Sequence, residues 1–182
     1  TLAFSAIQNN DKIGVIFFSD RIEKFIPPKK GRKHILYIIR ELLDFKPEST
    51  RTNVQCAIEY LTNVLKKRCT AFMLSDFIDE RDFQNALTIA NRKHDVVALQ
   101  VYDRRLEELP DVGLMKVKDA ETGHEQWIDT SSKALRNAHH EWWKARQQKL
   151  HDIFTHSNVD SVSVRTDQDY VKALLNLFAK RN

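Results

Sequence analysis

An α/β domain with a mainly parallel central sheet flanked by helices is predicted by three features of the sequence. The apolar runs 12–18, 69–75 and 95–101 are too short for helices and rich in β-branched and aromatic residues, as strands buried on both faces should be. Stretches with apolar residues at helical spacing separate these runs, and alternation of buried strand with amphipathic helix is the pattern of a parallel sheet. The run Ala71-Phe72-Met73-Leu74 ends abruptly in Ser75-Asp76, as a strand does when it delivers polar groups to a site at its carboxyl end. This third run reads as the strand around which the rest is organised.

In chain order, residues 2–8 continue a helix into the polar break Asn9-Asn10-Asp11, so the chain begins like a piece of a longer protein. Strand 12–18 turns at Ser19-Asp20 into a short antiparallel edge strand, 21–26, closed by Pro27-Pro28. Ile35, Ile38, Ile39, Leu42 and Leu43 predict a helix over 32–44 that Pro47 stops. A polar loop leads to a second helix with Val54, Ile58, Leu61 and Leu65 on one stripe. Two helices in succession leave the 46–53 loop free to approach the sheet's carboxyl edge.

After the organising strand, Asp79 or Asp82 caps a helix whose inner face is Phe83, Ala86, Leu87 and Ala90. Strand 95–101 follows, then a long connection over 104–113 and an inserted β-hairpin, 114–118 and 124–129, around a polar turn. Thr130, Ser131 or Ser132 caps a long helix to about residue 156 with Leu135, Ala138, Trp142, Leu150 and Phe154 inward. A half-exposed edge strand at 159–164 and a last helix, capped by Thr166 or Asp167, complete one domain over 1–182. Its inward residues are Tyr170, Val171, Leu174, Leu175 and Phe178. A chain of this length buries about 70% of its unfolded surface, enough for a core without staples.

Composition narrows the function classes. Cys56 and Cys69 sit in no C-x-x-C pair and near no histidine at ligand spacing, which reads as reduced, buried thiols in a cytoplasmic setting. No run reaches transmembrane length, and Thr1-Leu2-Ala3-Phe4-Ser5 does not read as a basic segment leading to a cleavage signal. A net charge of +4 and basic runs at 29–34 and 66–68 suit a weak nucleic-acid binder, but no aromatic residues are interleaved for base stacking, so solvated helix ends are the simpler reading. The sequence has no G-x-S-x-G, Walker A, G-x-G-x-x-G or H-E-x-x-H motif. His139 and His140 point about 100° apart on their helix and read as surface residues.

The acidic residues Asp76, Asp79, Glu80 and Asp82 could hold a hard cation such as Mg²⁺. Asp79 and Asp82 are also good caps and Glu80 favours a helix's positive end, which leaves Asp76 without an obvious structural duty. A Mg²⁺-dependent hydrolase on Asp76, Asp79 and Asp82 is one reading, though it has no neighbouring histidine as general base.

A family resemblance adds to this. Asp11-Lys12-Ile13-Gly14-Val15-Ile16-Phe17-Phe18-Ser19-Asp20, Pro27-Pro28-Lys29-Lys30-Gly31-Arg32-Lys33-His34, Ser75-Asp76-Phe77 and Arg92-Lys93-His94-Asp95-Val96 resemble the bacterial domain of unknown function 58 family. So do Glu108-Leu109-Pro110-Asp111-Val112-Gly113, Asp119-Ala120-Glu121-Thr122-Gly123 and Thr166-Asp167-Gln168-Asp169-Tyr170-Val171, so the resemblance covers essentially the whole chain. It implies a von Willebrand factor A-like fold, a non-enzymatic protein-interaction role and partnership with a MoxR-type AAA+ ATPase.

In such domains a metal-ion-dependent adhesion site at the sheet's carboxyl edge uses a D-x-S-x-S motif, a threonine and a second aspartate. By resemblance Thr52 is the threonine and Asp76 the aspartate, and both offer the hard oxygens Mg²⁺ prefers. The D-x-S-x-S motif is missing from this chain. The domain is therefore expected to be N-terminally truncated, lacking its first strand and binding divalent metal weakly or not at all. The edges of 12–18 and 69–75 are then expected to be unpaired, and the chain to self-associate.

Overall fold

The computed structural model describes residues 2–179 and 181. The chain runs α1 (Leu2–Gln8), β1 (Ile13–Phe18), β2 (Ile22–Lys29), α2 (Arg32–Asp44), α3 (Val54–Val64), β3 (Thr70–Ser75) and α4 (Gln84–Lys93). It continues with β4 (Asp95–Tyr102), α5 (Arg104–Glu107), β5 (Leu114–Lys118), β6 (Glu125–Asp129), α6 (Lys133–His156), β7 (Asp160–Arg165) and α7 (Tyr170–Ala179). The 104–113 connection therefore opens with a helical turn, capped by Asp103 through the Arg105 amide at 2.8 Å.

A parallel three-stranded sheet in the order β3-β4-β7 forms the centre, with helices on both faces. β4, and not β3, is the central strand, because it alone has neighbours on both sides and Val96 to Gln100 are all buried. Successive side chains of a strand point to opposite faces. Val96 and Ala98 accordingly meet Val54 and Ile58 of α3, Leu87 and Ala90 of α4, and Leu150 and Phe154 of α6. Val97 and Leu99 meet Leu174 and Leu177 of α7, together with Phe72 and Val162 of the flanking strands.

β3 is an edge strand in this sheet, so Leu74 is 57% exposed where burial on both faces was expected. β1 departs in the same way. It pairs only with β2, antiparallel, and Phe17 is its one buried residue. The ribbon β1–β2 has its own small core, where Phe17 stacks on Phe45 at 4.8 Å and Ile26 meets Ile38 of α2. α3 ties it to the rest through the Asn53 amide on the Ser19 carbonyl, 2.9 Å, and Phe25 against Tyr60. The two prolines lie inside β2 and do not close it, because Gly14 sits opposite them at a register shift. A Cβ on Gly14 would come within 2.7 Å of the Ile26 carbonyl oxygen, so only glycine admits this approach.

The hairpin β5–β6 is antiparallel as expected. Ser132 caps α6 by accepting the Leu135 amide. On α6, Trp143 points inward and Trp142 is 46% exposed, the reverse of the expected stripe; Ile153 joins Leu150 and Phe154 in the core, and Ala138 faces solvent. His139 and His140 are half-buried, with the Nδ1 of His140 3.2 Å from the Glu107 carbonyl oxygen.

Leu42 and Leu43 of α2 are exposed, as are Tyr170, Val171, Leu175 and Phe178 of α7, whose buried contact is Leu177. Asp169 accepts the Val171 amide at 2.9 Å at the start of α7, the part expected of Thr166 or Asp167. Both cysteines are free thiols and half-buried. Among the described residues no helix is long and apolar enough to cross a membrane.

Candidate functional site at the carboxyl edge of the sheet

β3 delivers Ser75 and Asp76 to the carboxyl edge, where the chain turns sharply. The Ser75 hydroxyl accepts the Phe77 amide at 3.0 Å, and Asp76 Oδ1 accepts the Ile78 amide at 3.0 Å. This turn drives Phe77 into the left-handed region at φ 54°, which costs a residue with a side chain about 1–3 kcal/mol. The Phe77 ring offsets that strain by packing at 2% exposure against Phe83 and Phe154. Asp76 stays half-buried, with one carboxylate oxygen engaged by its own loop.

Thr52, also half-buried, enters from the 46–53 loop. Its carbonyl accepts a hydrogen bond from Arg81 Nη1 at 2.7 Å, and the same guanidinium lies 3.5 Å from Asp79 Oδ1. Asp79 Oδ2 in turn accepts the Val54 amide at 2.8 Å. Asn53 caps α3 by accepting the Cys56 amide, while Asp79 takes up that helix's first amide from across the site and the Arg81 amide of its own loop at 3.0 Å, and with Arg81 it laces the loop of Asp76 to the loop of Thr52. Asp82 accepts the Gln84 amide at 2.9 Å at the start of α4.

Sequence reasoning missed Glu23, Arg146 and Gln100. Glu23 accepts the Ser19 hydroxyl at 2.6 Å and the amides of Glu48 and Ser49 at 3.2 and 3.3 Å, shaping the base of the Thr52 loop. The Ser19 hydrogen bond, foremost, holds the Glu23 carboxyl below the usual range. Arg146 donates from α6 to the carbonyls of Phe77 and Asp79 at 3.0 and 3.3 Å. Gln100 donates to the Asp76 carbonyl at 3.3 Å from the central strand. Each lies far in sequence from the loop it holds, and no local motif marks it. The hairpin adds a further contact, from the Thr50 hydroxyl to the Glu121 carbonyl at 2.7 Å.

Thr52 and Asp76 supply two hard oxygen donors where Mg²⁺ takes about six. Among the described residues no three His, Cys, Asp or Glu side chains are grouped to hold a metal ion. The carboxylates of the Asp76, Asp79 and Asp82 cluster are instead directed to the backbone amides of Ile78, Val54, Arg81 and Gln84. Away from this edge, the one close pairing of a thiol with an imidazole is Cys69 Sγ and His94 Nδ1 at 3.5 Å among the described residues, and burial pushes the thiol up.

Comparison with known proteins gives a consistent family and fold. The sequence profile of the family described as protein of unknown function DUF58 matches residues 1–149. Uncharacterized proteins of Mycobacterium bovis and Mycobacterium tuberculosis are each 27% identical over 175 residues, covering 94% of this chain and 54% of theirs. The chain thus spans about half the length of these curated relatives. An uncharacterized protein of Mycobacterium avium is 27% identical over 160 residues, 86% of this chain and 93% of that one.

Among solved structures, the conserved hypothetical protein BatB of Bacteroides thetaiotaomicron superposes with a TM-score of 0.60 at 16% identity, over 98% of this chain and 84% of that one. An aerotolerance-related membrane protein of Bacteroides fragilis, carrying multiple mutations to serine, gives 0.59 at 15% identity, over 98% and 86%. At these identities the likeness is one of fold.

Proposed function

The chain belongs to the protein family of unknown function DUF58, and from that premise we propose that it is a non-enzymatic protein-interaction module of von Willebrand factor A-like type, working in the cytoplasm. Its partner is a protein, of the MoxR-type AAA+ ATPase class, engaged at the carboxyl edge that carries Thr52 and Asp76. The observation that supports this reading is the lacing of these two loops by Arg81 and Asp79, which ties the segment of Thr52 to that of Asp76. In the longer protein a first strand with D-x-S-x-S would lie between β1 and β3 and supply the remaining oxygens. Mg²⁺ bound there would present an open position to an acidic side chain of the partner. The edges of β1 and β3 that pair with nothing among the described residues support that placement.

The test is Asp76→Ala in the longer protein. It should abolish Mg²⁺-dependent capture of the ATPase while leaving the circular dichroism spectrum unchanged. Capture that is equal with and without chelator, and equal in the variant, removes the proposal.

A further inference from the structure

The basic run at 29–34 opens α2 and takes no part in the carboxyl edge. Lys29 and Lys30 lead into the helix and Arg32 and Lys33 begin its first turn; all four side chains are exposed, with no ion pair among the described residues. That turn holds no acidic residue, and Gly31 gives it no side-chain cap. A helix begins at the positive end of its dipole, where cations are unfavourable. Solvated helix-end lysines belong at the opposite terminus, so the stability of α2 does not account for these four.

The same helix carries apolar residues on its outer side. Ile35 and Ile38 are buried, and on the opposite face Lys33, Leu36, Tyr37, Arg40 and Leu43 follow one another at helical spacing. Leu36 is 47% exposed and Leu43 79%, and Tyr37 is exposed beside them. The Arg40 guanidinium lies over the Tyr37 ring at 5.7 Å, and Lys33, Leu36, Tyr37 and Arg40 line a shallow hollow of about 340 Å³. Residues 29–44 hold five Lys and Arg against two acids; Glu41 pairs with Lys24, and Asp44 lies at the far end of the helix. A surface helix ordinarily keeps its outer face polar. Leucine and tyrosine set among unpaired cations is instead the composition of a helix lying in a lipid–water interface.

We propose that the outer face of α2, with the 29–33 segment at its start, docks on an anionic phospholipid surface. The basic side chains meet headgroup phosphates, and Leu36, Tyr37 and Leu43 enter the interface between them. The 13 residues of α2 span about 20 Å against a hydrocarbon core of about 30 Å, and Ile35 and Ile38 belong to the fold, so the helix lies on the membrane and does not cross it. A nucleic acid fits less well. Its phosphates suit the cations, but Leu36 and Leu43 gain nothing from them, and Arg40 already covers the one aromatic ring on this face. The cytoplasmic leaflet of a membrane is the one that carries anionic lipid. Neither Thr52 nor Asp76 lies on α2, so this surface is independent of the Mg²⁺-dependent edge.

The experiment is flotation of the intact chain through a sucrose gradient with vesicles of phosphatidylcholine alone or with about 30% phosphatidylglycerol, repeated at rising salt. The chain should float with the anionic vesicles only, and about 1 M salt should release most of it, because the screening length is then about 3 Å. Lys30→Glu with Lys33→Glu places acids at the positive end of α2, which keeps the helix, and should weaken binding about ten-fold or more, each basic residue near such a surface being worth about five-fold. Leu36→Ser with Leu43→Ser leaves the buried face of α2 untouched and should weaken binding about five-fold. Circular dichroism of both double variants should match the parent, and Asp76→Ala should float as the parent does. No flotation with anionic vesicles, equal flotation with neutral ones, or binding that either pair of substitutions leaves unchanged overturns the proposal. Tighter retention on duplex DNA than on the anionic vesicles, lost in the charge pair and kept in the leucine pair, also overturns it, by making a nucleic acid the occupant.

Discussion

Arg146 Nη2 stands 3.0 Å from the Phe77 carbonyl oxygen, so a helix some seventy residues away fixes the left-handed residue next to Asp76. The Trp142 ring covers the same guanidinium, with its centroid 5.9 Å from Cζ. The strained turn at the tip of β3 is thus held by the Phe77 ring from below and by Arg146 from outside. Removing the guanidinium leaves two part-buried carbonyls short of a charged donor, a loss of about 1.5–3 kcal/mol. Arg146→Met should lower unfolding free energy in urea by about 2 kcal/mol and speed amide exchange across 77–81. A stability within about 0.5 kcal/mol of the parent would show that the ring alone holds the turn.

Asp79 offers a sharper separation of structure from function. Its carboxylate is 2% exposed, accepts the first amide of α3 from Val54 and faces Arg81. Asp79→Ala should cost about 1–3 kcal/mol, as leaving part-buried amides without an acceptor does, and should loosen the Thr52 loop, since Arg81 loses one of its two anchors. Asp82, exposed and bonded only to Gln84 among the described residues, should cost less when replaced by alanine. Urea denaturation of the two variants side by side checks this, and equal losses would contradict it.

His94 gives the fold a pH dependence of known sign. It is fully buried beneath the start of β4, and its pKa is lowered first by that burial and then by Lys93 and Arg68. At pH 7.5 the imidazole is neutral in both states and its contribution to stability is fully present. As pH falls below the unfolded value, about 6.5, the unfolded chain takes up a proton that the folded chain resists, and stability falls. The slope cannot exceed the one-proton limit of about 1.4 kcal/mol per pH unit. His94→Leu should flatten it, and an unchanged slope in the variant would assign the effect to other groups.

Mg²⁺ titration of this chain measures how much of the cation site it carries. Thr52 and Asp76 give two oxygens against a demand of about six, so calorimetry should detect no binding tighter than about 1 mM. A dissociation constant below about 0.1 mM would mean that side chains within the chain complete the site.

Much of this architecture is legible in the sequence because it rests on local periodicity. Strands 95–101 and 114–118, the Ser132 cap and the 32–44 helix all follow from patterns a few residues long. What failed depends on which strand edges find neighbours. The run 69–75 is as apolar as 95–101, and nothing local says that Leu99 lies mid-sheet at 4% exposure while Leu74 is 57% exposed. The Trp142 and Trp143 pair fails for a related reason: adjacent helical residues differ by about 100°, and only the position of Tyr102 decides which faces in. At the site, Asp76 is marked by the end of its strand. Asp79, Arg81, Arg146 and Glu23 hold the loops through backbone groups, a partner type that carries no side-chain signature.

The edges of β1 and β3 lead to the last prediction. Each strand is paired on one side only among the described residues, β1 with β2 and β3 with β4, and neither contains a charged residue. Such edges are templates for pairing with another chain, and natural edge strands usually carry charge or proline to prevent it. β2 has its prolines, whereas β3 has Leu74 exposed beside its open edge. The chain alone should therefore self-associate, with a weight-average mass by light scattering that rises with concentration. Leu74→Lys should return it to monomer, because a lysine on the edge opposes strand addition and the leucine removed was already mostly in water. A mass that stays monomeric at every concentration, together with β3 amides as protected as those of β4, would mean that the edge is covered within a single chain.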